Sequence, residues 1–325
     1  VAAARNVFPG VVIQWEDFRK NNALMVLDRY RRVVPSFNDD IQGTGGVATA
    51  AIQAACRISG RRFRDSRIVL SGAGAAGLGI ARQLRVRLRQ SGLSGDELTR
   101  AILVTDSRGI VAADRDGLDD YKKELAWPAA LVEELGLKHD ERNDLENVVT
   151  AYGANTLIGV SGQGGSFTEG VVRGMLTHTG TPVILPLSNP TTISEAVPQD
   201  LLDWTDGKAL VATGSPFEPV EAPEGARRIG QANNVFVFPG IGLGTIAVDA
   251  SEITDAMIGV ASMALAGALT EQELEHRCLM PEVSRLWEVC GIVAHAVARQ
   301  AIDDGVAVPI TPAELSRRIE AIRWR

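Results

Sequence analysis

Three kinds of feature are scarce in this sequence, and each absence removes a class of protein. Cysteine occurs only three times in 325 residues, as Cys56, Cys278 and Cys290. An odd, scattered trio without paired spacing builds neither a disulfide framework nor a zinc site, and it reads as reduced thiols packed inside an intracellular protein. Long apolar runs are missing, which excludes a membrane-spanning helix. The N-terminus has no secretory layout of basic, apolar and small residues. Together these features predict a cytoplasmic protein. Val1 stands where Met is usual, so it is expected either to follow processing or to lie within a longer chain. Positive charge is not in excess: Lys and Arg total 33 against 40 Asp and Glu, for a net charge of −7. That balance argues against a broad electrostatic surface for nucleic acid. The four histidines, His139, His178, His276 and His295, are scattered without ligand spacing.

What is present is an ordinary globular composition, 45% hydrophobic and 22% charged, long enough for one large α/β domain or two smaller ones. Short apolar runs at 11–13, 68–70, 101–106, 156–160, 183–187, 210–212 and 235–238 read as strands. Most of them end in turn residues. Helical patterns over 23–32, from 44 to about 58, and over 75–89 separate the earlier runs, and 257–269 and 283–301 follow the last one. Phe37-Asn38-Asp39-Asp40 reads as a polar turn, and the charged stretch 114–147 as irregular, partly helical and exposed. Strands alternating with helices predict an α/β fold, a Rossmann-like doubly wound and mostly parallel sheet. The tryptophans Trp15, Trp127, Trp204, Trp287 and Trp324 read as core or interface aromatics.

The strand at 68–70 runs into Ser71-Gly72-Ala73-Gly74-Ala75-Ala76-Gly77, which fits G-x-G-x-x-G and opens a helix. The first glycine permits a tight turn, the second lets a pyrophosphate approach the backbone, and the third lets helix and strand pack closely. The free N–H groups of the helix start suit phosphates. A glycine turn that merely packs a helix on a sheet leaves the strand–loop–helix–strand–acid context unused. Asp106 ends the next strand and is placed to accept hydrogen bonds from an adenosine ribose, favouring NAD over NADP. Arg108 and Lys122 lie near enough in sequence to receive a 2′-phosphate, which keeps NADP open. The Lys122-Lys123 pair otherwise reads as solvated. The interval from the glycines to Asp106 is longer than usual, which predicts an extended connection.

Glu16-Asp17 follows the first strand, and Asp39-Asp40 the next helix. Converging carboxylates repel one another and are costly to bury unless a cation neutralises them, and an all-carboxylate set suits Mg²⁺ or Mn²⁺. From spacing alone, solvated acids or helix caps are the commoner arrangement.

The segments Gln14-Trp15-Glu16-Asp17-Phe18, Phe37-Asn38-Asp39-Asp40-Ile41-Gln42-Gly43-Thr44 and the glycine loop, in this order, resemble the malic enzymes. So do Leu187-Ser188-Asn189-Pro190-Thr191, Thr213-Gly214-Ser215-Pro216-Phe217 and Gln231-Ala232-Asn233-Asn234. Ser161-Gly162-Gln163-Gly164-Gly165 is more similar to the bacterial, NAD-type branch. The resemblance implies that Glu16, Asp17 and Asp40 bind the divalent metal and that Asp39 supports the catalytic base. It implies that Gly72, Ala73, Gly74, Ala75, Ala76, Gly77, Asp106, Ser161, Gly162 and Asn189 hold NAD. Asn189 and Asn234 are implied to contact L-malate.

The activity implied is oxidative decarboxylation of L-malate to pyruvate and CO₂, with homo-dimers or tetramers as the assembly. A malolactic enzyme, giving lactate, is the near alternative, although Thr213–Phe217 looks more malic. A catalytically silent dinucleotide-binding module is the distant one. No segment matches the family's N-terminal motifs around its catalytic Tyr, catalytic Lys and malate-binding Arg. The chain is therefore expected to be a fragment, or a relative completed by a partner. The implied division is a metal-site segment at 1–42 belonging to a malate-binding domain, an NAD-binding domain at 43–248, and a helical segment at 249–325.

Overall fold

The computed structural model describes residues 1–323; Trp324 lies outside the described residues. Among the described residues eleven strands occur in chain order: β1 (Ile13–Trp15), β2 (Ser36–Asn38), β3 (Ile68–Ser71), β4 (Ile102–Asp106), β5 (Gly109–Ile110), β6 (Thr156–Gly159), β7 (Val183–Pro186), β8 (Leu210–Thr213), β9 (Val220–Ala222), β10 (Gly225–Arg227) and β11 (Gly230–Gln231). Seven of them form one sheet in the order β11-β8-β7-β6-β3-β4-β5, parallel throughout except for the hairpin edge β4–β5. The chain begins this sheet at β3, builds outward through β4 and β5, then returns to β6 on the other side. That reversal makes the gap between β3 and β6 the topological switch point, outside whose strand ends open α/β sheets bind ligands.

Side-chain alternation explains why helices cover both faces. Ile68, Leu70, Ile102, Val104, Ile158, Val183, Leu185, Leu210 and Ala212 point to one apolar cluster. Their intervening neighbours Val69, Leu103, Leu157, Ile184 and Val211 point to another. A strand apolar on both faces must be buried on both. The first face is covered by the helices Thr44–Ser59, Ala75–Gln90, Phe238–Ala247, Asp255–Gly267 and Leu286–Asp303. The second is covered by shorter helices, among them Leu145–Tyr152 and Glu169–Leu176. The first cluster also takes in Leu24, Leu27, Phe37 and Ile319, so one core draws on the N-terminal, central and C-terminal sections.

Two expectations about local structure are corrected. Val235–Phe238, read as a strand, is a 3-10 turn at Asn234–Phe236 leading into the helix Phe238–Ala247. A short apolar run is ambiguous by periodicity. Here the Asn233 side chain accepts the Val235 N–H and turns the chain, and glycines at 240 and 244 bring the new helix close to Val293 and Val297. Phe37–Asp40, read as a polar turn, is not a surface feature. Ser36–Asn38 pairs in parallel with β1, and Asp39–Gly43 is a π-helical turn running straight into the helix Thr44–Ser59. The apolar neighbours Phe37 and Ile41 are buried and draw the acids inward with them. The long interval before Asp106 is filled by an additional helix, Gly95–Arg100. The three cysteines are free and buried. Trp127 is a core residue, whereas Trp287 is exposed beneath the Arg323 guanidinium. Among the described residues no helix is long and apolar enough to cross a membrane.

The helix Ala75–Gln90 lies against the π turn at backbone distance. A Cβ on Gly79 would fall on the carbonyl of Ile41, and one on Gly45 would lie 2.7 Å from the carbonyl oxygen of Gly79. In an unconstrained helix Gly→Ala is stabilising by about 1 kcal/mol. Here Gly79→Ala is expected to destabilise by about 1–3 kcal/mol, because the packed backbone must give way. Urea denaturation measures it, and an unchanged or raised midpoint would refute the close approach.

Candidate active site

The two-stranded unit β1–β2 holds the acids. Glu16 and Asp17 follow β1, and Asp39 and Asp40 follow β2, so parallel pairing of Trp15 with Asn38 brings the four side by side. Asn38 shapes the π turn: its Oδ1 accepts from the Ile41 N–H at 3.0 Å, and its N–H donates to Gln42 Oε1 at 3.0 Å. Asp17 adopts φ 59°, which is uncommon for a residue with a side chain. In that conformation its N–H donates to Asp40 Oδ2 at 2.9 Å. Carboxylate oxygens of Glu16, Asp17 and Asp40 all lie within 4.8 Å of one another.

Asp39 faces the other way and is nearly inaccessible, at 3% exposure. Its Oδ2 accepts from Asn234 Nδ2 at 3.0 Å, and the same amide reaches the Asp39 carbonyl and Thr44 Oγ1. Asp39 Oδ1 is buried without a partner. Burial pushes the Asp39 carboxyl up to about 7; the Asn234 bond opposes this, and Glu16 and Asp40 add to it. Asp40 is also raised, chiefly by burial, against the pull of the Asp17 N–H. A cavity of about 440 Å³ opens over these groups, lined by Glu16, Asp39, Asp40, Thr44, Asn189 and Asn234 among others. Asn189, at the end of the β7 loop, accepts from Ser215 Oγ at 2.6 Å, which aims its amide. Five of the residues singled out in the sequence thus share one cavity although they lie as far apart as positions 16 and 234.

The glycine loop sits at the switch point. Gly72 has φ 125°, and a Cβ there would lie 2.7 Å from the carbonyl oxygen of Val160, after β6. A Cβ on Gly77 would collide with the Gly72 carbonyl, so this glycine serves packing. A Cβ on Gly74 would meet nothing within 4 Å. Gly74 caps the helix Ala75–Gln90 with no side-chain bond, and the first turn carries no acid. The first turn of this helix thus carries neither a side-chain cap nor an acid that would compete with an anion at its N-terminus.

Asp106 is not the free acceptor that the sequence suggested. Its carboxylate is pinned by Arg115 and Lys122, each at 2.5 Å, and by the Arg108 N–H at 2.9 Å. Lys122, read as solvated, is thus an ion-pair partner, whereas Lys123 pairs with Asp120. Arg115 escaped the sequence reading because nothing in the irregular stretch 114–147 marked it. Beside Asp106 a recess of about 120 Å³ is lined by Ser71, Ser107, Asn143 and Gln163 among others. Ser161 and Gly162 lie at the end of β6, held by Glu195 and Ser188. Glu195 also went unnoticed, since an acid among Thr, Ser and apolar neighbours carries no signal that it turns inward.

Residues 41–302 match the family profile described as malic enzyme, NAD binding domain. The chain belongs to the malic enzyme family. It is 43% identical over all of its 325 residues to an NAD-dependent malic enzyme of Sodalis glossinidius (strain morsitans), and 43% identical to NAD-dependent malic enzyme 3 of Bacillus subtilis (strain 168). In each case it spans 57% of the relative's length. The crystal structure of Entamoeba histolytica malic enzyme superposes with a TM-score of 0.77 at 25% identity, covering 95% of this chain and 58% of that one. A malic enzyme from Pyrococcus horikoshii does so with a TM-score of 0.77 at 25% identity, over 98% of this chain and 68% of that one. The doubly wound sheet is therefore the malic enzyme arrangement.

The pinned Asp106 makes a prediction about acid stability. Burial by itself would raise its pKa, but the bonds from Arg115, Lys122 and the Arg108 N–H bring it down from 3.8 to about 2. A carboxylate depressed in the folded state stabilises fully above its ordinary value and loses that contribution as pH falls through the folded value. Asp106→Asn is expected to cost about 2 kcal/mol at neutral pH. The two proteins should converge in stability between pH 3.8 and about 2. Denaturation across that range checks it, and a gap that persists undiminished at the acid end would contradict the assignment.

Proposed function

We propose that this chain supplies the cofactor- and metal-holding part of an active site that oxidatively decarboxylates L-malate to pyruvate and CO₂ with NAD. The observation that carries this reading is the cavity in which Glu16 and Asp40, two of the three converging carboxylates, meet Asp39, Asn189 and Asn234. The acids fit a hard divalent cation. Three carboxylates within 4.8 Å repel one another, and Asp17 is held in an uncommon backbone conformation to complete the set. Mg²⁺ or Mn²⁺ would be held by Glu16, Asp17 and Asp40. NAD would be held by Gly72–Gly77 with Asp106 on the adenosine side and by Ser161, Gly162 and Asn189 on the other. When bound, the nicotinamide supplies a hydride acceptor, and the cation supplies the Lewis acidity that decarboxylation of a 2-oxo acid needs.

The chain's own residues then position and hold charge. Asn189, whose Oδ1 is engaged by Ser215, has its Nδ2 left for the substrate, and Asn234, whose Nδ2 is engaged by Asp39 and Thr44, has its Oδ1 left. Asp39, buried and tied to Asn234, is set to stabilise a neighbouring cation or base by charge. The glycine loop brings the pyrophosphate to the helix start, so that orientation of the dinucleotide is built into the backbone. The general acid and base are not assigned to any Tyr or Lys of this chain. We further propose the division at 42–43 and 248–249, with 43–248 as the cofactor domain. Assembly as a homo-oligomer belongs to the same proposal.

Asp40→Asn is expected to weaken Mn²⁺ binding at least about tenfold, since it removes a charged ligand. NAD affinity should change less than Mn²⁺ affinity, because Asp40 is not among the residues assigned to the dinucleotide. Mn²⁺ electron paramagnetic resonance and NAD titration read the two separately; unchanged Mn²⁺ affinity would remove the metal assignment. With the family's N-terminal region supplied, turnover of L-malate with NAD and Mn²⁺ should yield NADH and pyruvate in equal amounts. Lactate without net NADH would instead mark a malolactic activity.

A further inference from the structure

Glu195 is a fully buried acid, and the donors that reach it are neutral. Its Oε1 accepts from the Ser161 N–H at 2.9 Å, Ser161 Oγ at 3.1 Å and Ser188 Oγ at 2.5 Å, while Oε2 accepts from the Ser188 N–H at 3.3 Å. Ser188 Oγ in turn accepts from the Gly162 N–H at 2.9 Å. Burying a carboxylate is costly unless its acceptor sites are filled. Only a carboxylate offers so many acceptor positions and no donor, which is what two loops presenting N–H and O–H groups require. The sheet makes room for it: a Cβ on Gly159, the last residue of β6, would lie 2.5 Å from Glu195 Cδ.

The two loops so joined follow β6 and β7, on the far side of the switch point from β4 and Asp106. Doubly wound sheets bind one nucleotide half on each side of that point. The glycine loop and the Asp106 recess serve the adenosine half. The β7 loop borders the cavity with the acids and asparagines through Leu187 and Asn189, where the reacting end belongs, and the β6 loop lies beside it, tied to it through Glu195 and Ser188. Gly162 is next to Ser161, and Asn189 next to Ser188, so a shift of either tie moves a residue assigned to the nicotinamide side.

We propose that Glu195 is a positioning residue that locks Ser161-Gly162 and Ser188-Asn189 into the geometry that receives the nicotinamide half of the dinucleotide. The inference rests on the NAD reading above and adds a residue to it. Glu195→Gln keeps the size but turns one acceptor end into a donor facing donors. Isothermal titration of the 325-residue chain with NAD and with ADP-ribose, which lacks the nicotinamide, separates local from general effects. NAD should bind about tenfold or more weaker to Glu195→Gln, as bonds to a charged acceptor are lost. ADP-ribose should bind within about twofold of wild type. Ser188→Ala, which removes one hydroxyl and no charge, should show a smaller loss of the same selectivity, and it carries the test if Glu195→Gln does not fold. Equal losses for both ligands, or no loss for either, overturn the positioning role. Wild-type protein that binds neither ligand overturns the NAD reading instead.

Discussion

Backbone contact between the helix Ala75–Gln90 and the π turn Asp39–Gly43 is the constraint on which the rest of the site depends. Gly79 permits it, and Gly45 permits the same helix to approach the helix Thr44–Ser59 that follows the turn, since a methyl group at either would meet a main-chain carbonyl. Side-chain packing can relax by a rotamer, but main chain against main chain has little room to adjust. The first helix of the dinucleotide unit and the acid-bearing turn therefore move as one piece. Their mutual placement is decided by where side chains are missing. The π turn runs directly into the helix Thr44–Ser59, buried in the same core, which fixes Asp39 and Asp40 from the other end. A π segment at such a place is in keeping with the frequent use of these turns at functional sites.

Charge is handled differently at the two ends of the crevice. Asp106 is fully compensated by Arg115 and Lys122 and sits well below the usual carboxylate range. Among the described residues, Asp39 and Asp40 have no such cations as hydrogen-bond partners, and burial raises both. A protein tolerates uncompensated buried carboxylates where something else supplies the positive charge or where strain is part of the site. Glu195 is a third case, a buried carboxylate whose donors among the described residues are neutral. Between these three solutions the crevice has one end where the acid is paired with cations, one where the acids are not, and a hydrogen-bonded tie between two loops.

Much of the architecture was legible because it rests on short-range pattern. The alternation along β3, β4, β6, β7 and β8, the glycines after β3 and the acid after β4 each declare themselves within a few residues. The strand expected at 235–238 failed for the same reason that short apolar runs always can: four apolar residues do not distinguish a buried strand from the start of a buried helix, and the Asn233 cap decided it. The polar turn expected at 37–40 failed because burial of Asp39 depends on Phe37, Ile41 and Asn234, the last of them 195 positions away.

By itself the sequence determined the dinucleotide fingerprint, the fold class and, through ordered segments such as Phe37–Thr44 and Leu187–Thr191, the family. These are local strings whose chemistry follows from residue type and order. Only the tertiary structure decided that Glu16, Asp17 and Asp40 converge, that Asn189 and Asn234 share a cavity with Glu16 and Asp40, that Asp106 is already paired, and that Glu195 ties two loops together. Those facts depend on sheet order and on close approach between segments distant in the chain. Neither residue type nor spacing encodes which of two acids, Glu195 buried and Asp120 exposed, turns toward the core.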